Sequence, residues 1–376
     1  MLNVSRQIVG IDANEANLIR ERVGSNKFAF NILLALSKVK TEFGFKIYLS
    51  TPVLEDLPLS RENWKYRIIP PPKFWTQWRL PFDLYFNKPR PDLFLSLGHY
   101  APRFSPVKSL VSIMDLGYLT YPEQLTRKDF WKLKHWTSYS IRSATAIITI
   151  SEYSKREIIR FYHVDPKKIC VVYPGYDKNL FRQVNSPKKI KMIMTKYNIN
   201  KPFLIFVGAL KPNKNLERLI TAFSQLKQEN LELVIVGKKG WLYDSIFRTV
   251  KELGLGKRVI FTGFVPEAEL PYLLNGASLF VFPSLYEGFG IPVVEAMACG
   301  LPVLTSNVGS LPEVIDNCGV VVDPYSIESI VNGIVEGLKM SAFYKKLGLK
   351  RVNIFSWEKS AKEIVEIIKH QLQFNA

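Results

Sequence analysis

Short apolar runs alternate with amphipathic stretches along most of the chain. "RQIVGID" reads as a strand, "NKFAFNILLALSKV" as an amphipathic helix and "FKIYLS" as the next strand. "DLFLSL", "SLVSIMD" and "ATAIITIS" are further apolar runs of strand length, as expected of strands covered on both faces. "SKREIIRFY" then reads as a helix and "ICVVYPG" as a strand. This order predicts βαβ units and a parallel sheet.

The pattern pauses at "KNLFRQVNSPKKI", which is polar, basic and proline-bearing, and restarts at "KPFLIFVGAL". The second series is a regular doubly wound α/β pattern: "NLERLITAFSQLK", "LELVIVG", "YDSIFRTVKELG", "RVIFTGFV", "ELPYLLNGA", "LFVFPS", "IPVVEAMACG", "PVLTS" and "GVVVDP". A linker is expected near residues 180–192. The fold expected is α/β, with two Rossmann-like doubly wound domains, 1–185 and 190–355, facing a cleft at the carboxyl ends of their strands. "SWEKSAKEIVEIIKHQLQF" reads as a terminal helix with Ser356 as its N-cap.

Size and composition agree with this. The 376 residues suit two cores, and 47% hydrophobic residues can fill them. Three cysteines without a CxxC pair fit a reducing compartment. The beginning of the chain does not read as a signal peptide, and no apolar run reaches the roughly 20 residues that span a bilayer. A cytoplasmic protein is expected, at most peripheral at the inner face of the cell membrane. The net charge is +18, and the larger excess lies in the first half. Such a surface attracts nucleic acid, anionic lipid or phosphorylated small molecules, and charge does not choose among them.

The chemistry concentrates in "SLYEGFGIPVVEAMACGLPV". Gly288 and Gly290 permit a sharp turn after a strand, and Pro292 suits the first turn of a helix. Glu287 falls in the loop and Glu295 early on the helix. Both can face one ligand near a helix N-terminus, where free N–H groups favour anions. A carboxylate accepts two hydroxyl hydrogen bonds at once and suits a vicinal diol. Acids that merely complement the helix dipole are the plain alternative. In "VGALKPNKNLERLI", Gly208 follows a strand and Lys214 precedes a helix, so a diphosphate there meets a cation and N–H groups together. "RVGSNKFAF" places Gly24 and Ser25 before another helix, with Ser25 or Asn26 able to cap it.

"YEGFGIPVVEAMACGLPV" resembles the E-x7-E region of retaining, nucleotide-sugar-dependent glycosyltransferases of family 4, which have the GT-B fold. "IVGIDAN", "RVGSNKFAFNILLAL", "VSIMDLGYLTYPE", "ITISEYSKREI", "VVYPGYDKNLF" and "FVGALKPNKNLERLI" are similar to that family's landmarks in the same order, over nearly the whole chain. The resemblance implies that Glu287 and the Gly288–Phe289–Gly290 backbone lie against the donor sugar. It implies that Glu295 holds the ribose hydroxyls and Lys214 the diphosphate. Gly24 and Ser25 would approach donor phosphate and acceptor. The terminal helix 356–376 would cross back onto the first domain. The family usually adds an arginine to the lysine; here that place falls on Ala209 or Asn213, and Lys211 is a substitute. No separate cofactor is implied, the nucleoside diphosphate sugar being the donor substrate.

One departure is at Met114. Relatives often carry a histidine before the aspartate of "VSIMDLGY", and methionine cannot take a proton. Asp115 is then a candidate base or acceptor-orienting group, or a structural acid. His99, after "DLFLSL", is the best placed of His99, His135, His163 and His370 for an acceptor or donor contact. A front-face mechanism, in which the leaving phosphate takes the acceptor proton, fits the missing histidine. No Asp-x-Asp or metal-ligand spacing occurs, so a metal-independent hexosyltransferase is expected, acting on a saccharide or lipid-linked acceptor in cell-surface polysaccharide or glycolipid synthesis. "KFWTQWRLPFDLYF" and "KDFWKLKHWTSYSIR", with Trp75, Trp78, Trp131 and Trp136, suit a bilayer interface, a sugar-stacking surface or ordinary packing. A sugar-nucleotide epimerase or other GT-B enzyme, and a basic polyanion-binding protein without a nucleic-acid motif, are the alternatives.

Overall fold

The structure, a computed structural model, describes residues 6–18, 22, 24–240 and 243–373. The chain divides into two compact units, Met1–Gly175 with Ser356–Ala376, and Tyr176–Phe355.

The first unit is built on seven strands: β1 (Ile8–Asp12), β2 (Gly44–Leu49), β3 (Trp64–Ile68), β4 (Leu93–Ser96), β5 (Ser109–Ser112), β6 (Ala146–Thr149) and β7 (Ile169–Val171). They form one parallel sheet in the order β3-β2-β1-β4-β5-β6-β7. Strands β4, β5 and β6 are buried along their whole length, which explains their unalternating apolar sequences. Strand β3 was not legible as a strand. It lies at the sheet edge with exposed Lys65 and Ile68, so it has no apolar run to announce it. Helices α1 (Ser25–Lys38), α2 (Leu80–Phe86), α3 (Gly117–Thr120), α4 (Arg127–Ser143) and α5 (Glu152–Tyr162) lie along the connections.

The second unit holds β8 (Phe203–Val207), β9 (Glu232–Val236), β10 (Val259–Gly263), β11 (Leu279–Phe282), β12 (Val303–Ser306) and β13 (Val320–Val322), a parallel sheet ordered β10-β9-β8-β11-β12-β13. Its helices are α6 (Pro187–Lys196), α7 (Leu216–Ser224), α8 (Asp244–Glu252), α9 (Leu270–Gly276), α10 (Ile291–Ala298), α11 (Leu311–Ile315), α12 (Ile327–Lys339) and α13 (Ser341–Arg351). Helix α10 is buried from Val293 to Ala298, so "VVEAMA" reads as apolar almost all round.

The divide falls at Gly175/Tyr176, earlier than the 185 expected from the polar stretch. That stretch is not a free linker. Val184 donates its N–H to Asn275 Oδ1 at 2.8 Å, and Pro187 opens α6, which packs on α9. The final helix α14 (Trp357–Gln373) belongs to the first unit. It packs on α1 through a Phe28–Trp357 edge contact at 5.9 Å, and Ser360 Oγ donates to the Tyr173 carbonyl at 2.5 Å.

In each sheet the strand order reverses beside the strand that begins its unit. The reversal lies between β1 and β4 in the first sheet and between β8 and β11 in the second. Connections leave a reversal point in opposite directions and open a crevice at the carboxyl ends of the strands.

Candidate functional site

Gly208 follows β8 directly, and its N–H donates to the Val236 carbonyl at 2.9 Å, so the loop starts fixed to the end of β9. The loop closes in a short 3-10 turn, Pro212–Lys214, and Lys214 stands two residues before α7. Across the reversal point, β11 runs into "PSLYEGFG". The two loops are bonded to each other: Leu285 N–H donates to the Asn213 carbonyl at 2.8 Å, and Asn213 Nδ2 donates to the Tyr286 carbonyl at 3.2 Å. The Lys214 ammonium forms an ion pair with Glu287 Oε1 and lies 5.2 Å from the centre of the Phe282 ring. Both partners are 14% exposed.

Backbone contacts hold this arrangement from below. Ser310 donates through Oγ (3.0 Å) and N–H (3.2 Å) to the Glu287 carbonyl. Gly309, at φ +68°, has no room for a side chain, because a Cβ there would lie 2.9 Å from the Glu287 carbonyl oxygen. Gly290 caps α10 at φ +97°, a conformation that glycine adopts freely, and Pro292 sits in the first turn as expected. Phe289 turns inward onto Phe355, with centroids 5.4 Å apart, so at this position only the backbone is offered to a ligand. Gly288 is buried beside it. Glu295, 3% exposed, lies beneath the surface on α10. Burial, and then the charge of Glu295, push the Cys299 thiol up to about 12.

Asn215, beside Lys214, organises the candidate site and was not singled out in the sequence. It is buried, in the left-handed region at φ 59°. Its Nδ2 donates to the Pro283 and Pro324 carbonyls at 3.0 and 2.7 Å, and its Oδ1 accepts from Arg218 at 2.9 Å. One amide thus ties the loops that follow β8, β11 and β13. The signal was an asparagine at a helix start, which reads as an ordinary cap.

The first unit gathers the other candidates at its own reversal point. His99 follows β4, and its Nε2–H donates to the Asp115 carbonyl at 3.2 Å. Burial lowers the His99 pKa, and Asp115 opposes that shift. The ring is therefore neutral at pH 7, with Nδ1 as its accepting nitrogen. The Asp115 carboxylate accepts the N–H of Gly117, the first residue of α3, at 2.9 Å. Met114 is buried, and its carbonyl accepts from Ser154 Oγ at 3.0 Å.

Gly24 precedes α1 at φ +56°. Neither Ser25 nor Asn26 caps α1, contrary to the sequence expectation. Both turn to Glu15 instead: Asn26 Nδ2 reaches Oε2 at 2.7 Å and Ser25 Oγ reaches it at 3.3 Å. Both lie inside the first turn, after the N-cap Gly24, so neither holds the capping place and each donates to the carboxylate instead. Glu15 also backs onto Gly98, whose missing Cβ would sit 3.1 Å from Glu15 Cγ. Asp12, the last residue of β1, has its pKa raised to about 7 by burial, against hydrogen bonds from Asn14. Burial raises Glu15 as well. Asp12 and Glu15 were not singled out in the sequence; acids straight after "IVGI" were the available signal.

Among the described residues no group of three or more His, Cys, Asp or Glu side chains is arranged to hold a metal ion. Among them, too, no helix is long and apolar enough to cross a membrane.

Comparison with known proteins gives matches in both units. The family model "Glycosyl transferases group 1" matches residues 189–352, and "Glycosyltransferase Family 4" matches residues 42–180. The chain is 30% identical over 269 residues to O-antigen chain mannosyltransferase B of Escherichia coli, covering 70% of each protein. Sucrose-phosphate synthase from Thermosynechococcus elongatus superposes with a TM-score of 0.78 at 21% identity, over 99% of this chain and 100% of that one. HepE from Anabaena, in complex with UDP and glucose, superposes with a TM-score of 0.73 at 19% identity, over 97% and 99%. These solved structures share two parallel-sheet Rossmann-like domains, the GT-B fold, with this chain.

Proposed function

The chain belongs to glycosyltransferase family 4 and is a hexosyltransferase, and from that premise we propose its donor, its acceptor and the residues that serve them. It moves a hexose, with retention of the anomeric configuration, from a UDP- or GDP-sugar to a hydroxyl of a saccharide or lipid-linked acceptor in cell-surface polysaccharide synthesis. The mannosyltransferase relative favours mannose as the hexose.

The observation that carries this reading is the Lys214–Glu287 pair at the reversal point of the second sheet. Each group satisfies the other in a place where water reaches little of either. A seated sugar diphosphate offers both a better exchange. Its phosphate oxygens take the ammonium, and its sugar hydroxyls take the carboxylate. Lys214 then stabilises the negative charge that grows on the leaving diphosphate, which is differential binding of the transition state. The Gly288–Gly290 backbone lies against the sugar, and Glu295 accepts the ribose diol from below. In the first unit, Ser25 and Gly24 serve the donor phosphate and the acceptor. His99 Nδ1 and Asp115 orient the acceptor hydroxyl. Met114 supplies no base, so the leaving phosphate takes the acceptor proton.

The test is release of nucleoside diphosphate from a panel of UDP-, GDP- and ADP-hexoses with saccharide acceptors, followed by NMR of the new anomeric centre. One donor should support turnover with retention. Lys214→Ala, confirmed folded, should lower turnover by about a hundredfold or more. Folded Lys214→Ala and Glu287→Ala variants with undiminished rates would overturn the assignment.

A further inference from the structure

The segment 73–90 and the loop after β4 carry exposed aromatic rings that nothing above uses. Phe74, Trp78, Phe82 and Phe86 recur every fourth residue through a π-helical turn (Trp75–Arg79) and α2. They therefore share one side of this element. Trp78 is 70% exposed and Phe86 69%, and Phe82 and Phe86 touch each other with centroids 4.5 Å apart. The opposite side holds Trp75, Leu80 and Leu84, buried on Tyr48 and Phe94 in the unit's core. Of the readings the sequence left open for Trp75, ordinary packing is the one that holds. The element is apolar on two sides, and only one is accounted for by folding.

The exposed side continues sideways. Arg103 N–H donates to the Thr76 carbonyl at 2.8 Å, which brings the 68%-exposed Phe104 alongside. Its rim is basic: Lys73, Arg79, Lys88 and Arg103 are all exposed. Between Lys73 and Pro91 the one acid is Asp83, which is buried and paired with Arg67 at 2.6 Å. Aromatic rings bordered by Lys and Arg, with no exposed acid between Lys73 and Pro91, are complementary to the headgroup layer of an anionic bilayer. A second copy of this chain would bring an identical basic rim and another +18 against it, which disfavours self-docking.

We propose that the face formed by Phe74, Trp78, Phe82, Phe86 and Phe104 seats the protein on an anionic lipid surface. The rings enter the headgroup–acyl boundary, and the basic rim meets the lipid phosphates. This stands apart from the donor-site reading, since none of these residues is in that site.

The full chain is sedimented with neutral phosphatidylcholine vesicles and with vesicles carrying about one third phosphatidylglycerol. Binding is expected to the anionic vesicles. The Trp78→Ala/Phe82→Ala/Phe86→Ala variant should partition at least about tenfold less, with an unchanged melting temperature because all three side chains are exposed. Brominated lipid should quench the wild-type tryptophan fluorescence more than that of Trp78→Phe. Equal binding by the triple variant would reduce the effect to adsorption of a cationic chain and overturn the proposal. No wild-type binding, or a solution dimer that the triple variant abolishes, would overturn it too. Transfer to a short soluble acceptor should be the same in both proteins. Vesicle binding without transfer would count against the donor-site reading and leave this one standing.

Discussion

Lys214 and Glu287 separate a structural from a functional role cleanly. Removing one partner strands the other in a place only 14% exposed. Glu287→Ala should cost about 1–2 kcal/mol, less than the loss for a fully buried pair because some water remains. Lys214→Met with Glu287→Leu should recover most of that stability while transfer stays abolished. A melting curve beside a rate assay reads both. Asp12 makes a separate prediction. Its pKa is raised to about 7 in the fold, so the fold favours the protonated acid. That contribution is full below the ordinary carboxylate range and is lost as pH rises towards and through 7. Ionising Asp12 in the fold costs on the order of 4 kcal/mol. Asp12→Asn keeps an acceptor for Asn14 and should raise the melting temperature by several degrees at pH 8, with little change at pH 4. An equal effect at both values would show that the shift is absent. Glu287 and Lys214 were legible because glycine, proline and a strand end surround them. Asp12, Glu15 and Asn215 were not, because their importance comes from burial and from partners distant in sequence.

At the level of elements, the loop after β11 is shaped by what lies under it. Gly309 and Ser310 precede α11 and fix the Glu287 backbone from a segment more than twenty residues later. Gly309→Ala places a Cβ against the Glu287 carbonyl and in a left-handed conformation, at a cost of roughly 1–2 kcal/mol. The larger effect should be on turnover, since Glu287 has to move with its backbone; kcat and KM measured beside a thermal melt separate the two. A variant with unaltered kinetics would mean that the loop adjusts freely. The central strands and the helices α7, α10 and α14 were readable from apolar runs, glycine and proline. The edge strand β3, the π-helical turn and the rerouting of Ser25 and Asn26 to Glu15 were not. A half-exposed strand has no distinctive pattern, and nothing in "GSN" says that Gly24 rather than Ser25 or Asn26 takes the N-cap place.

Both units of the molecule repeat one solution: a parallel sheet that reverses order beside its first strand, with the candidate residues at the carboxyl ends of the two strands flanking the reversal. The place of the candidate residues in each unit was therefore legible from strand order and loop composition together. The division of the chain was less so. A polar, basic stretch looked like a linker, and the divide at Gly175/Tyr176 is marked only by the Pro174-Gly175 pair at the end of a strand-like run.

Helix α14 gives this division a temporal side. The second unit is one continuous stretch, 176–355, whereas the first is completed only by Ser356 onward. During synthesis the earlier-made unit leaves α1 uncovered, and Phe28 without Trp357, until the last helix has emerged from the ribosome. The later-made unit needs no segment beyond Phe355 to close. Folding order is thus expected to run against the order of translation, with an exposed apolar face on the nascent first unit as its signature. Released chains ending at residue 355 should show a protease-resistant second unit and a protease-sensitive first one, and chains extended through residue 373 should be protected in both.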